Sequence, residues 1–116
     1  MAQIISVPGP TQAQFNTLSD QMGNAKFVYL GTISANESKD YTVEDSTQAV
    51  LFTFGGNTAR FSQILVNASS SGSITAKQIV SDAAITFATA TNKLTVTYTS
   101  TSAIAVYAII FTGNVS

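Results

Sequence analysis

From Ala25 onward apolar and polar residues alternate with a period of two, and turn-forming residues recur about every eight to twelve positions. A strand turns successive side chains to opposite faces, so this rhythm builds sheets with one buried face and excludes helices over the same stretch. The clearest example is Lys93–Thr99, where Leu94, Val96 and Tyr98 alternate with Thr95, Thr97 and Thr99. One face is core there, and the other is a threonine ladder facing water. Strands are predicted at Lys26–Ile33, Lys39–Val43, Gln48–Phe54, Thr58–Val66, Ser73–Val80, Ala84–Ala88, Lys93–Thr99 and Ala103–Thr112. Turns fall at Asn36-Glu37-Ser38, Glu44-Asp45-Ser46, Gly55-Gly56-Asn57, Asn67–Gly72 and Asn92-Lys93, where residues tolerant of positive φ cluster.

Within the strands, Phe27, Tyr29 and Ile33 share a face, as do Tyr41 and Val43, and Val50, Phe52 and Phe54 are placed on the core side. Phe61 and Leu65 oppose Ile64 and Val66. The expected core or subunit interface contains Phe52, Phe54, Phe61, Leu94, Val96, Val106 and Ile110. Ala103–Thr112 is apolar on both faces. Such a strand is buried twice, once in the sandwich and once under another element or a neighbouring subunit.

The first 24 residues follow other rules. Pro8 and Pro10 flank Gly9 and break regular structure, so residues 1–10 read as an extended arm. Thr11-Gln12-Ala13-Gln14 matches a capping box, and Phe15, Leu18 and Met22 form an apolar stripe at helical spacing, ended by Gly23-Asn24. A helix that short is unstable alone, so its stripe docks on its own domain or on another copy. The expected fold is an all-β antiparallel sandwich, jelly-roll-like, of about eight strands. It is preceded by the arm and one short helix, with residues 1–24 distinct from a sandwich domain over 25–116.

Composition narrows the chemistry. The 116 residues are 9% charged and 45% hydrophobic, with no His, Cys or Trp. Imidazole acid–base chemistry, thiolate nucleophiles, disulfides and soft metal ligands are absent. The chain is expected not to be an enzyme and to need no cofactor. Lys26, Lys39, Arg60, Lys77 and Lys93 are scattered, and the net charge is -1, so no nucleic-acid partner is expected. The longest apolar stretch, Ala103–Phe111, is far shorter than the roughly 20 residues of a membrane helix, and no leader is read in the first ten residues. The one adjacent acidic pair, Glu44-Asp45, reads as a solvated turn in preference to a cation site. Asn36, Asn67 and Asn114 head Asn-x-Ser sequons, read as products of composition.

With arm, helix, Ser/Thr-rich sandwich and the closing run Ile104-Ala105-Val106-Tyr107-Ala108-Ile109-Ile110-Phe111 in view, the chain resembles small fibre, tip and decoration proteins of tailed bacteriophages and prophages. Gly72–Val80 and Leu94-Thr95-Val96-Thr97-Tyr98 look like the terminal hairpins of such proteins. The resemblance implies a protein made in the bacterial cytoplasm and located in the virion, a homo-oligomer with a trimer favoured, and contact with other virion proteins and a host-surface glycan or protein. The expected oligomer interface is Phe15, Leu18, Met22, Tyr107 and Ile109. The expected recognition turns, all at one end of an up-and-down sandwich, carry Asn36, Glu37, Asn57 and Asp82. The alternative is a small monomeric carbohydrate-binding module, which needs exposed aromatic residues along one groove.

Overall fold

The computed structural model describes residues 25–55 and 60–116. These residues form eight antiparallel strands: β1 (Lys26–Ile33), β2 (Ser38–Thr42), β3 (Gln48–Gly55), β4 (Phe61–Ala68), β5 (Ile74–Val80), β6 (Ile85–Ala90), β7 (Lys93–Tyr98) and β8 (Ile104–Thr112). A five-stranded sheet in the order β1-β8-β3-β4-β5 packs against a three-stranded sheet in the order β2-β7-β6. The fold is the all-β two-sheet sandwich that the alternation predicts. The arm, the helix and the Phe15, Leu18, Met22 stripe lie outside the described residues, as does Asn57.

The core lies between the sheets. The small sheet contributes Tyr41, Leu94, Val96, Tyr98 and Ile85, all buried. Two tyrosines on that side leave room for compact residues opposite them, because protein interiors pack to near-crystalline density. The larger sheet accordingly turns Ala49, Leu51, Thr53, Ser62, Ile64, Val66, Val106 and Ala108 inward. Thr53 and Ser62, adjacent in the β3–β4 register, satisfy each other across a 2.8 Å hydrogen bond.

This packing corrects two strand phases. In β3 the aromatic set Val50, Phe52, Phe54 faces away from the core, and Ala49, Leu51 and Thr53 face in. Both faces of β3 can hold apolar or small residues, so side-chain bulk alone assigned the faces wrongly. Phe54 is 50% and Phe61 51% exposed, so neither belongs to the sandwich core. In β1, Phe27 and Tyr29 do not share a face with Ile33. The register to β8 slips between Tyr29 and Gly31, and Gly31 sits at φ 95°. A bulge adds one residue to one strand and reverses the faces beyond it. Phe27 and Tyr29 therefore point outward while Ile33 is buried. Leu94, Val96, Val106 and Ile110 are core residues, as expected.

Hydrogen bonds between loops sort the turns into two ends. At one, Tyr98 N–H donates to the Glu37 carbonyl, Thr99 N–H to the Ala84 carbonyl, and Arg60 pairs with Asp82 at 2.9 Å. At the other, Ser46 N–H donates to Ser69 O, Asn92 N–H to Gly72 O, and Glu44 N–H to Asn114 O. Beyond β8 the chain crosses to the small sheet. Val115 bridges Val43, and Thr42 and Ser116 exchange two backbone bonds at 2.8 and 3.0 Å. No helix among the described residues is long and apolar enough to cross a membrane.

Candidate functional site

An antiparallel sheet that covers a core on one side usually presents polar side chains to water on the other. The larger sheet does not. Register brings outward residues of neighbouring strands into rows. Tyr29, Tyr107, Phe52 and Gln63 form one row, and Phe27, Ile109, Val50, Leu65 and Lys77 form the next. Thr32, Ala105, Phe54 and Phe61 form a third. Tyr107 is the hub. Its ring centroid lies 5.8 Å from Phe27, 5.2 Å from Tyr29 and 6.1 Å from Phe54, and Phe54 stacks in turn on Phe52. Rings at these separations and tilts attract one another, so the cluster is a fixed surface.

Phe27 is 72% and Tyr29 57% exposed, and Phe54, Phe61, Leu65, Ile79 and Phe111 are also exposed. Between Phe27, Phe54 and Tyr107 the face dips into an open depression of about 690 Å³, floored by Ala105 and edged by Thr32. A second, of about 340 Å³, lies among Val50, Leu65, Phe111 and Lys77. Lys77 is the only charged residue in the three rows.

The expected interface residues Tyr107 and Ile109 both lie on this face. The expected recognition residues lie elsewhere. Asn36 is exposed in the β1–β2 turn with φ 58°, beside exposed Glu37. Asp82 is at the same end, but its carboxylate is already engaged. It accepts from Arg60 and from the Ala84 backbone N–H at 2.9 Å, and its side chain is only 7% exposed. The other described acidic side chains are engaged singly. Asp40 accepts from Thr95, Asp45 from Asn92, and Glu44 from Asn114. Among the described residues no group of His, Cys, Asp or Glu could hold a metal ion.

Of the four tyrosines, Tyr41 and Tyr98 are core residues while Tyr29 and Tyr107 build the outer face. Burial pushes the Tyr41 hydroxyl up to about 12. Sequence reasoning did not place Phe27, Phe54 or Phe61 on the surface. Two signals for it exist in the chain: Gly31 in mid-strand, where a bulge is a common cause, and the small residues Ala49 and Thr53 alternating with bulky ones.

The fold itself occurs in a phage protein. Tailspike protein gp49 of Acinetobacter baumannii bacteriophage Fri1, a capsular polysaccharide depolymerase, superposes with a TM-score of 0.59 at 12% identity. The match covers 98% of this chain and 24% of the tailspike, so the chain spans about a quarter of that protein's length. No family model and no curated protein matches the sequence. The likeness overturns the expectation that the chain is not an enzyme, because the protein sharing its fold is one. Residue types missing from a segment equal to a quarter of an enzyme do not exclude catalysis. Glycoside cleavage, for instance, uses carboxylates and needs neither His nor Cys.

Proposed function

We propose that this chain is a virion-associated sandwich module of a tailed phage that assembles with copies of itself through the outer face of the β1-β8-β3-β4-β5 sheet. The observation that carries the reading is the apolar character of that face. It is roughly 20 Å on a side, since strands lie about 4.8 Å apart and rise about 3.3 Å per residue. Its make-up fits. Tyr and Phe fill the centre, and Gln63, Thr32 and Lys77 stand at the margins, the division found in protein interfaces. A centre without charge lets identical surfaces meet, and a net charge of -1 adds little repulsion between copies. A phage setting is supported by the tailspike that shares the fold. A trimer is the stoichiometry implied by the resemblance to fibre and tip proteins. In that setting the turn carrying Asn36 and Glu37 is left free to meet other virion proteins or a host-surface glycan or protein.

The mass of the native protein at micromolar concentration tests this. An oligomer is expected, and Phe27→Asp should lower its mass while leaving the β-sheet circular dichroism unchanged. A wild-type monomer overturns the proposal. One observation favours a second reading, carbohydrate binding by a monomer: the depression bounded by Phe27, Phe54 and Tyr107 is an aromatic groove of the kind that reading requires. Glycan-array binding by a monomer, lost in Phe27→Asp, would select it.

A further inference from the structure

Each sheet has two edge strands, and an unprotected edge is a template for pairing with another chain. Three of the four edges here carry a protective device. The β1 edge is broken by the bulge at Gly31 and begins at Lys26. The β2 edge is five residues long, carries Lys39 and Asp40, and is covered at Thr42–Glu44 by backbone bonds from Asn114 and Ser116. The β5 edge carries Lys77 and is distorted by the register slip opposite Gln63 and Ile64. β6 has none of these. Ile85-Thr86-Phe87-Ala88-Thr89-Ala90 contains no charge, proline or glycine, and its register to β7 runs without a slip.

The direction of its free backbone groups is fixed. Ala84 O accepts from Thr99, beside β7, whereas Ile85 N–H bonds back to Asp82 and Ile85 O accepts from Gln78. Alternation along an antiparallel strand then points the N–H and C=O of Phe87 and Thr89 away from β7. The apolar layer beneath is also unfinished on this flank. Three strands cover five, and Phe87 of β6 and Ile74 and Ala76 of β5 pack against the core while staying only partly buried.

We infer that β6 pairs antiparallel with β6 of a second copy, joining two small sheets into one continuous six-stranded sheet. A twofold axis beside Ala88 sets Phe87 opposite Thr89 of the partner subunit. Each such pair exchanges both backbone bonds, and Ile85, already bonded, is left undisturbed. A second copy fits better than an unrelated peptide because β6 meets its own sequence with no like charges opposed, the arrangement that favours cross-strand pairs. The pairing is independent of the aromatic face, which lies on the other sheet.

Two variants test it in the full chain. Thr89→Pro removes an N–H that β7 does not use, and proline is tolerated at such edge positions. Ala88→Lys, at an exposed site, sets like charges against each other at the axis. Each should halve the mass of the native assembly. In the wild type, amide exchange of Phe87 and Thr89 should slow by at least about tenfold on concentrating the protein. Folded Thr89→Pro and Ala88→Lys proteins with unchanged mass overturn the inference. Protection of Phe87 that does not vary with dilution also overturns it, because the occupant is then a segment of the same chain. Phe27→Asp reports on the aromatic face separately. An assembly sensitive to Phe27→Asp but indifferent to both β6 variants keeps the face and removes the edge.

Discussion

Neighbouring residues of β3 provide a direct test of which face of the large sheet is inside. Leu51 is fully buried, and Phe54 three positions on is half exposed. Truncating a buried leucine to alanine costs about 3–5 kcal/mol, from lost transfer energy and the cavity left behind. Phe54 has less to lose. Full burial of a phenylalanine is worth at most about 3 kcal/mol, so half burial caps the loss near 1.5 kcal/mol. For a domain of this size each kcal/mol shifts the melting temperature by about 4–8 °C. Leu51→Ala should therefore lower it by at least about 12 °C, and Phe54→Ala by half of that or less. The measurement is a circular-dichroism melt at a concentration too low for self-association. At higher concentration Phe54→Ala should show its main effect, a weaker assembly. A melting temperature lowered as much by Phe54→Ala as by Leu51→Ala would refute the assignment of the aromatic set to the outside.

Two further outcomes follow from particular contacts. Gly113 has φ 77°, and a Cβ there would lie 2.6 Å from the Thr47 Cα and closer still to its hydroxyl. Backbone cannot yield as a side-chain tip can, so Gly113→Ala should cost more than about 2 kcal/mol, above the roughly 1–2 kcal/mol of a left-handed residue alone, read from denaturant unfolding. The second concerns pH. Desolvation raises the Tyr41 hydroxyl from its ordinary 10 to about 12 in the folded protein, so the folded state holds that proton more tightly than the unfolded state does. Its contribution is complete below pH 10 and is lost as pH rises toward about 12, up to roughly 2–3 kcal/mol at about 1.4 kcal/mol per unit. Alkaline titration of stability should show that loss, and Tyr41→Phe should remove it.

Much of this architecture is legible in the chain. The Leu94, Val96, Tyr98 alternation fixes β7 because its opposite face, Lys93, Thr95 and Thr97, is all polar, which leaves one way to orient the strand. The doubly apolar run Ile104–Phe111 marks β8 as a strand, but only one of its faces is buried in the core: Tyr107 and Ile109 on the other are themselves part of the aromatic face, which no described element covers. Where both faces of a strand are apolar, pattern gives no orientation. In β3 it is Ala49, Leu51 and Thr53, and not the bulkier aromatic residues, that share the core with Tyr41 and Tyr98. In β1 the orientation depended on a single inserted residue at Gly31. The engagement of Asp82 could not be read either, because its partner Arg60 is brought near only by the gathering of turns at one end. The turn carrying Asn36 and Glu37 and the engaged Asp82 therefore lie apart from the aromatic rows, and among the described residues only Tyr107 and Ile109 of the expected site residues belong to those rows.

The place of β8 between β1 and β3 also bears on how quickly the domain can form. The β3-β4-β5 meander and the β6-β7 hairpin close through short connections and can zip locally. β8 cannot. It pairs Ile104 with Ile33 and with Gly55, so it must enter a slot whose two walls come from far earlier in the chain. Closing such long loops before any contact rewards them makes folding slow. The insertion of β8 is therefore expected to be slower than either local step. Truncating Val106, fully buried within it, would change the folding rate more than truncating Ile64 in the meander, and until that step is complete Leu51 and Tyr98 have no finished core to share.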